Sequence, residues 1–250
     1  MGSRSAQRRS SGGVALADPP DAVSAEVADI LADLRGVRAL PDRLDRVSAR
    51  FLGRPYLSFP LIGGPSTDEV LVTRIDQFDC VTYGESVLAL ATSRRLAQFP
   101  RRLADLRYLG GRIRWIDRNH YMSRWVARNV RAGLVARVLP HRWAWADPAR
   151  ELSVLPDYPV RTWRPRYLPN AALDELDVHA EPGDLVAFVS NKPDLDTFHV
   201  GLLVPRAGQP LAVRHAGRSA GAVLEQDLRD FLRANEVPGM LVVRPLWPSP

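Results

Sequence analysis

The chain has 250 residues, of which 46% are hydrophobic and 25% are charged, and it contains a single cysteine. This composition is typical of a soluble globular protein, and one cysteine excludes both an internal disulfide and a multi-cysteine zinc site. The net charge of +6 is carried almost wholly by arginine, since Lys192 is the only lysine. No basic stripe interleaved with aromatic residues accompanies this charge, so we expect no nucleic-acid partner. No apolar run approaches the ~18–20 residues of a membrane span.

The N-terminal segment differs in composition from the remainder of the chain. Residues 1–20 are rich in Gly, Ser and Arg, and they are predicted to be a disordered tail. The apolar stretch GGVALA within them is shorter than the ~7–15 residues of an export signal. We therefore expect a cytoplasmic protein whose residues 21–250 form one domain.

Helical patterns dominate the first half of this domain. Apolar residues recur with helical spacing over 22–34, and a second helix is predicted over 41–52, with Pro41 in its first turn. Residues 53–69 are rich in turn-forming residues and are predicted to be irregular, followed by a short strand in LVTRI (71–75).

A third helix is predicted to begin at Cys80 and to run to about Ser93. Residues 101–120 contain a further helix that precedes a Gly-Gly turn, and residues 121–132 contain another. A Trp- and Pro-rich connection follows, so we interpret about 98–170 as a helical insertion in the domain.

The last third of the chain changes to short apolar runs bounded by Gly, Pro and Asp. Strands are predicted over 184–190, 199–204 and 211–216, a short helix over 224–234, and a last strand over 240–246. Helices followed by an antiparallel sheet indicate the α+β class.

The only cysteine, Cys80, lies in FDCVTYGE (78–85), directly after Asp79, which can cap the helix. The unpaired N–H groups and the positive dipole end of a helix start favour the nucleophilic thiolate. They also supply donors for the oxyanion of an acyl-transfer intermediate. The alternative is that a lone cysteine simply fills a core position.

A cysteine nucleophile needs a base and a third group that orients the base. The chain has five histidines, and two of them fall on adjacent predicted strands: His199 opens one strand and His215 lies near the end of the next. In an antiparallel hairpin these two positions can face each other, so a ring-to-ring hydrogen bond is predicted to set the tautomer of His199. Each histidine taken alone is more often a structural residue.

Four motifs in this order carry a resemblance to a known superfamily. FDCVTYGE, GDLVAF (183–188), HVGLLV (199–204) and RHAG (214–217) together resemble the NlpC-type, papain-like cell-wall amidohydrolases. The resemblance implies a papain-like fold in which an N-terminal helical part packs on a C-terminal antiparallel sheet.

One branch, the N-acetylmuramoyl-L-alanine amidase-like family, resembles this chain more closely. The additional segments that carry the likeness are RNHYMSRWVARN (118–129) and GDLVAFVSNKPDLDTFHVG (183–201), and the likeness runs from about Leu52 to Arg244. It implies a cysteine amidohydrolase without a metal or an organic cofactor.

The resemblance also implies roles for individual residues. Cys80 corresponds to the nucleophile, His199 to the general base and acid, and His215 to the orienting third residue. Four residues are implied as substrate-binding: Tyr56, Asp79, His120 and Tyr121. Packing, for the aromatic residues, and helix capping, for Asp79, are the alternative explanations.

Several positions depart from the family pattern. Arg124 stands where an Asp is usual, and Gly84 replaces a usual Val. Asp194 and Phe198 replace small residues shortly before His199. The catalytic trio is retained, but these departures indicate that the preferred substrate can differ from that of the family.

The main functional hypothesis is hydrolysis of an amide in peptidoglycan fragments through a thioester. The bond is that between the muramyl lactyl group and L-alanine or, in a nearby variant, that between D-glutamate and the diamino acid. A second hypothesis keeps the nucleophile but assumes a carrier-protein-bound acyl substrate, as in natural-product off-loading cyclases and acyltransferases. There an Asp such as Asp105 or Asp117 can join the site. A third is a non-catalytic relative that binds muropeptides.

Overall fold

The computed structural model of the chain describes residues 21–146, 148–155 and 157–247. The predicted disordered tail, residues 1–20, lies outside the described residues. The α-helices of the described part are α1 (Asp21–Asp33), α2 (Leu40–Arg50), α3 (Cys80–Ala91), α4 (Gln98–Arg107), α5 (Met122–Arg131), α6 (Leu173–His179) and α7 (Leu228–Asn235).

The strands of the same part fall mainly in its second half. They are β1 (Ile62–Gly64), β2 (Thr67–Val70), β3 (Val135–Arg137), β4 (Ala144–Trp145), β5 (Arg150–Leu152), β6 (Arg161–Trp163), β7 (Arg166–Pro169), β8 (Leu185–Val189), β9 (Thr197–Val204), β10 (Ala212–Gly217), β11 (Ala222–Asp227) and β12 (Gly239–Pro245).

One large antiparallel sheet organises these strands. Its order is β11-β10-β9-β8-β12-β7-β4, and β3 pairs with β12 beside this path. Two small hairpins, β1-β2 and β5-β6, stand apart from it. The architecture confirms the α+β class that the order of the sequence patterns predicts.

Helix α3 occupies the centre of the molecule, because it packs against α2 and α4 on one side and against β9 and β10 on another. Every residue from Thr82 to Ala91 is buried, which matches its apolar sequence. Gly84 fits this close approach, because a Cβ there would stand only 3.3 Å from Leu185 Cδ1.

The predicted strand in LVTRI is wrong. Residues 71–75 pair with no strand, and the hairpin lies just before them in β1 and β2. Thr73 and Ile75 are buried as in a strand, but arginine side chains bind the backbone carbonyls. The guanidinium of Arg107 donates to Val72 O at 2.8 Å. Alternating burial alone therefore mimics the pattern of a strand.

Two further predictions need correction. The helical insertion, about 98–170, is α-helical only as far as Arg131, and from Val135 it forms the short strands β3 to β7 with a 3-10 turn at Pro140–Arg142. The helix predicted over 224–234 begins only at Leu228, because all six residues of β11 pair with β10. Asp227 ends the strand and caps α7 by accepting a hydrogen bond from the N–H of Asp230.

No helix in the described residues is long and apolar enough to cross a membrane.

Candidate active site

Cys80 is the first residue of α3, and Asp79 is its N-cap. Asp79 Oδ1 accepts hydrogen bonds from the Thr82 N–H and from the Thr82 hydroxyl, both at 2.7 Å. Thr82 Oγ1 in turn accepts the Asp79 N–H at 3.0 Å. This reciprocal capping box fixes the first turn and therefore the direction in which the Cys80 side chain leaves the helix.

The thiol differs from the expectation of a resting thiolate. Cys80 is half-buried, and desolvation, followed by the negative charge of Asp79, raises the pKa of the thiol to about 12. Backbone hydrogen bonds to the sulfur, the first from Val200, act in the opposite direction. Burial outweighs the helix start here, so the sulfur carries its proton at neutral pH.

The two histidines of the adjacent strands are brought together as the sequence predicts. His199 Nε2 and His215 Nδ1 lie 2.8 Å apart in a hydrogen bond, with the ring planes nearly perpendicular at 89°. The predicted ring-to-ring hydrogen bond is thus present. Among the described residues no hydrogen bond joins the thiol to either ring, and the thiol is instead bonded to the backbone of Val200, the residue after His199.

Aromatic side chains surround the paired imidazoles. The ring of Phe231, from α7, lies 5.5 Å from that of His199 and 5.4 Å from that of His215, measured between centroids. Burial, with the neighbouring His215 as a second cause, lowers the pKa of His199 to about 3. Burial also lowers the pKa of His215. Both rings are therefore neutral at pH 7, the form in which an imidazole accepts a proton.

Tyr56 lies close to the start of α3. An isolated parallel bridge pairs it with Phe78, two residues before Cys80. Burial raises the pKa of Tyr56, and electrostatic coupling to Cys80 and Asp79 raises it further. Its phenol therefore keeps its proton and is available as a hydrogen-bond donor close to the sulfur.

An open cleft of about 710 Å³ begins next to Cys80, and two of its lining residues, Asp79 and Val81, flank the cysteine. Arg118 and His120 also line it. Phe59 stands at the rim with 91% of its surface exposed and with a left-handed φ of 54°. An exposed aromatic in a strained backbone conformation next to a cleft is typical of a ligand-contacting position.

His120 and Tyr121 have different surroundings in the structure. His120 lines the cleft, its Nε2 bonds Trp115 O at 2.8 Å, and burial lowers its pKa to about 4. Tyr121 is only 2% exposed and packs with Leu152 and Tyr158 in a small separate cluster. Tyr121 is not among the residues that line the cleft, and its assignment as a substrate-binding residue stays a prediction.

The residues that depart from the family pattern lie around the same region. Phe198 is 39% exposed and its ring lies 6.4 Å from that of His199, so it adds bulk beside the proposed base. The positive charge of Arg124 contributes to lowering the pKa of His120. Asp105 and Asp117 do not line the cleft: Asp105 borders a separate apolar pocket, and Asp117 is bound by Arg112 and Arg114.

A carboxylate that the sequence reasoning missed connects two of the motifs. Asp196 Oδ2 accepts the N–H of Ser123, in the first turn of α5, at 2.6 Å. Its Oδ1 accepts the N–H of Thr197, at the start of β9, at 2.7 Å. Asp196 is 1% exposed. It therefore fixes the helix that follows His120 to the strand that carries His199.

A second feature that the sequence did not reveal is a buried ion pair on α3. Glu85, the last residue of FDCVTYGE, accepts hydrogen bonds from Arg107 Nε at 2.7 Å and from Trp125 Nε1 at 3.0 Å. The side chains of Glu85 and Arg107 are almost fully buried. The sequence does contain a signal for this ion pair, since a glutamate inside a buried apolar helix needs a charged partner.

The described residues contain no group of three or more His, Cys, Asp or Glu side chains that could hold a metal ion.

Comparison with known proteins gives a consistent result. A family model described as AmiA-like, N-acetylmuramoyl-L-alanine amidase-like, matches residues 46–240. The crystal structure of an N-acetylmuramoyl-L-alanine amidase from Bacteroides uniformis is similar at 25% identity, with a TM-score of 0.69 over 82% of this chain and 98% of that chain. A DUF1460 protein from Legionella pneumophila has 21% identity and a TM-score of 0.76 over 90% of this chain and 95% of that chain, a likeness of fold alone. No curated protein sequence matches the chain.

Proposed function

The chain belongs to the N-acetylmuramoyl-L-alanine amidase-like family, and on that premise we propose that it is a cysteine amidase acting on peptidoglycan fragments. The proposed bond is the amide between the muramyl lactyl group and L-alanine. Cys80 is the nucleophile, His199 the general base and acid, and His215 the residue that orients His199. We also assign the fold to the NlpC-type papain-like class, in which a helix-starting cysteine faces histidines of an antiparallel sheet.

The observation that carries this proposal is the hydrogen bond of 2.8 Å between His199 Nε2 and His215 Nδ1. The strand that bears His199 also contacts the proposed nucleophile, since the backbone of Val200 hydrogen-bonds the Cys80 sulfur. Because Nε2 of His199 is occupied, Nδ1 is the ring nitrogen left to exchange a proton with the thiol. The pKa of His199, about 3, keeps its ring neutral, as a general base requires.

The proposed reaction begins with a protonated thiol. His199 Nδ1 removes the proton while the sulfur attacks the amide carbon, which forms a C–S bond and a tetrahedral oxyanion. In this step the N–H groups of Cys80 and Val81, which hydrogen-bond the resting sulfur at the start of α3, are proposed to stabilise that oxyanion. The C–N bond then breaks, and the proton passes from His199 to the leaving amine.

The thioester is released by water. His199 takes a proton from the attacking water, a second tetrahedral oxyanion forms, and the C–S bond breaks. The proton returns to the sulfur, so that the free acid leaves and the thiol is restored. The Tyr56 phenol, which stays protonated beside the sulfur, is a further donor for the substrate or the oxyanion.

The test uses N-acetylmuramoyl-L-alanyl-D-isoglutamine as substrate and mass spectrometry of the products. We expect N-acetylmuramic acid and the free dipeptide from the parent protein, and a loss of at least about 10³-fold in kcat/KM for Cys80→Ala. Because Cys80 is the only cysteine, an acyl adduct on the intact protein reports on this residue alone.

A tripeptide of L-alanine, D-glutamate and a diamino acid serves as the alternative substrate. Cleavage of this tripeptide with the muramyl substrate untouched would move the proposal to the neighbouring peptide bond. Cleavage of either substrate at an unchanged rate by Cys80→Ala would eliminate the thioester mechanism.

A further inference from the structure

A third polar side chain extends the pair of imidazoles. His215 Nε2 lies 3.3 Å from Gln226 Oε1, so His199, His215 and Gln226 form a chain of two hydrogen bonds. The three residues stand on β9, β10 and β11, which are consecutive strands of the antiparallel sheet. The resemblance described above assigns no role to Gln226.

The strand register explains why this glutamine reaches His215. Gln226 is directly opposite Val213, and His215 is directly opposite Leu224, so Gln226 and His215 are diagonal neighbours on one face. Diagonal positions of a sheet lie within reach of long side chains. His215 is 4% exposed, so its ring is held in this contact and is shielded from competing water.

The hydrogen bonds determine which nitrogens carry protons. A neutral imidazole has one N–H donor and one acceptor nitrogen. If Gln226 Oε1 accepts a hydrogen bond from His215 Nε2–H, then His215 Nδ1 is an acceptor and must receive a hydrogen bond from His199 Nε2–H. The remaining nitrogen, His199 Nδ1, is then unprotonated.

The opposite orientation of the glutamine amide has the opposite effect. An NH₂ group facing His215 would donate to Nε2, which would place the proton of His215 on Nδ1. His199 would then carry its own proton on Nδ1 and could not accept one from the thiol there. The orientation of a single amide thus selects between a working and a blocked base.

We propose that Gln226 is a positioning residue whose amide oxygen sets the tautomers of His215 and His199, and so keeps His199 Nδ1 free to accept the thiol proton. This inference rests on the proposed function for its catalytic meaning. It acts entirely through His215, because Gln226 itself reaches neither the thiol nor the cleft lining.

Two substitutions separate the proposal from a merely structural role. Gln226→Met keeps the length of the side chain and removes the acceptor. We expect kcat to fall roughly 2- to 13-fold with KM unchanged within about twofold, as suits the loss of one neutral hydrogen bond in the transition state. Gln226→Glu keeps the acceptor and cannot donate. We expect it to retain activity with the acid limb of its pH–rate profile moved to higher pH, because the carboxylate favours protonated imidazoles.

The matched control is Gln209→Met, which makes the same replacement at an exposed position in the turn before β10. It is expected to leave both kinetic constants and the pH profile unchanged. If Gln226→Met and Gln226→Glu also behaved like the parent protein, the proposed role of Gln226 would be refuted.

A second measurement does not depend on turnover. In ¹⁵N NMR of the parent protein at pH 7, we expect His215 to be protonated on Nε2 and His199 on Nε2. The Gln226→Met protein should show a mixture of tautomers at His215. Protonation of His215 on Nδ1 in the parent would overturn the inference, even if the muramyl amide is cleaved as proposed. Conversely, the absence of cleavage would count against the proposed function and leave the nitrogen assignment to decide the inference.

Discussion

The imidazole side of the candidate site is built from regular structure, whereas the thiol side is built from a helix start and irregular chain. His199 and His215 stand on the adjacent strands β9 and β10, and a hydrogen bond of 2.8 Å joins their rings. Tyr56 and Phe59 belong to a segment without regular structure that follows the edge of the sheet. Gly53 N–H donates to Val223 O at 2.9 Å, and Tyr56 N–H donates to Gly221 O at 2.8 Å.

The two sides of the site are therefore positioned by different kinds of contact. On the sheet, His199 is paired with Phe188 of β8 and His215 with Leu224 of β11, so the strands position both rings. On the thiol side, single side chains such as Asp79, Glu85 and Asp196 hold helix ends and buried charges in place. We therefore expect substitutions on the thiol side to affect stability, and substitutions of the rings to affect chemistry.

The largest expected effect is on activity, at the imidazole side. His199→Ala removes the base and should lower kcat/KM for the muramyl amide by about 10³-fold. His215→Ala leaves a base that is poorly oriented and should cost about 10²-fold. Thermal unfolding of both variants at pH 7 serves as the control for folding. Equal rates for the parent and the His199 variant would show that the paired rings are not part of the reaction.

The next largest expected effect is a loss of stability when the buried ion pair of Glu85 and Arg107 is broken. Glu85→Leu leaves the buried Arg107 without its partner, and we expect a loss of about 3–5 kcal/mol in the free energy of unfolding. The double variant Glu85→Leu/Arg107→Leu should recover part of that loss, because it leaves no unpaired charge. Urea unfolding followed by tryptophan fluorescence measures both. A single variant as stable as the parent would contradict the idea that α3 depends on this pair.

A smaller effect concerns the dependence of stability on pH. Burial lowers the pKa of His199 to about 3 and that of His120 to about 4, from an ordinary value of 6.5. Below pH 6.5 the unfolded chain therefore binds protons that the folded protein does not, so stability is complete above pH 6.5 and falls as the pH decreases toward 4.

Denaturation midpoints at pH 7 and pH 5 test this, since most carboxylates are still ionised at pH 5. The double variant His120→Gln/His199→Gln should lose less stability over this interval than the parent. An equal loss in both proteins would assign the acid sensitivity to other groups.

The smallest expected effect is at the cap of α3. Asp79→Ala removes the acceptor for the Thr82 N–H and should lower the free energy of unfolding by about 1 kcal/mol. Asp79→Ser retains a capping oxygen and should lie close to the parent protein. If alanine and serine proved equally stable, the capping box would contribute nothing measurable to the helix start.

Local patterns were sufficient to predict much of the site. The Asp-Cys dipeptide before an apolar helix indicated the capped start of α3, and two short apolar runs indicated the strands of His199 and His215. Gln226 was missed because residues 224–234 were predicted to be helical, although their first part is a strand. Strand pairing depends on neighbours that a local pattern does not contain.

Other features depend on contacts between distant parts of the chain. The bond between Ser123 and Asp196 joins residues 73 positions apart, and neither residue is unusual in its local sequence. The thiol pKa was predicted in the wrong direction because the sequence shows the helix start, whereas the burial that dominates it depends on the tertiary structure.

The protonated resting sulfur has a consequence for covalent inhibitors. Simple alkylating reagents react with the thiolate, so a thiol with a pKa of about 12 should be nearly inert toward them at neutral pH. Electrophiles such as peptide nitriles and aldehydes, which occupy the cleft and accept the sulfur while His199 removes its proton, should react faster. Selectivity among cellular cysteines would then arise from the shape of the inhibitor and not from the acidity of the target.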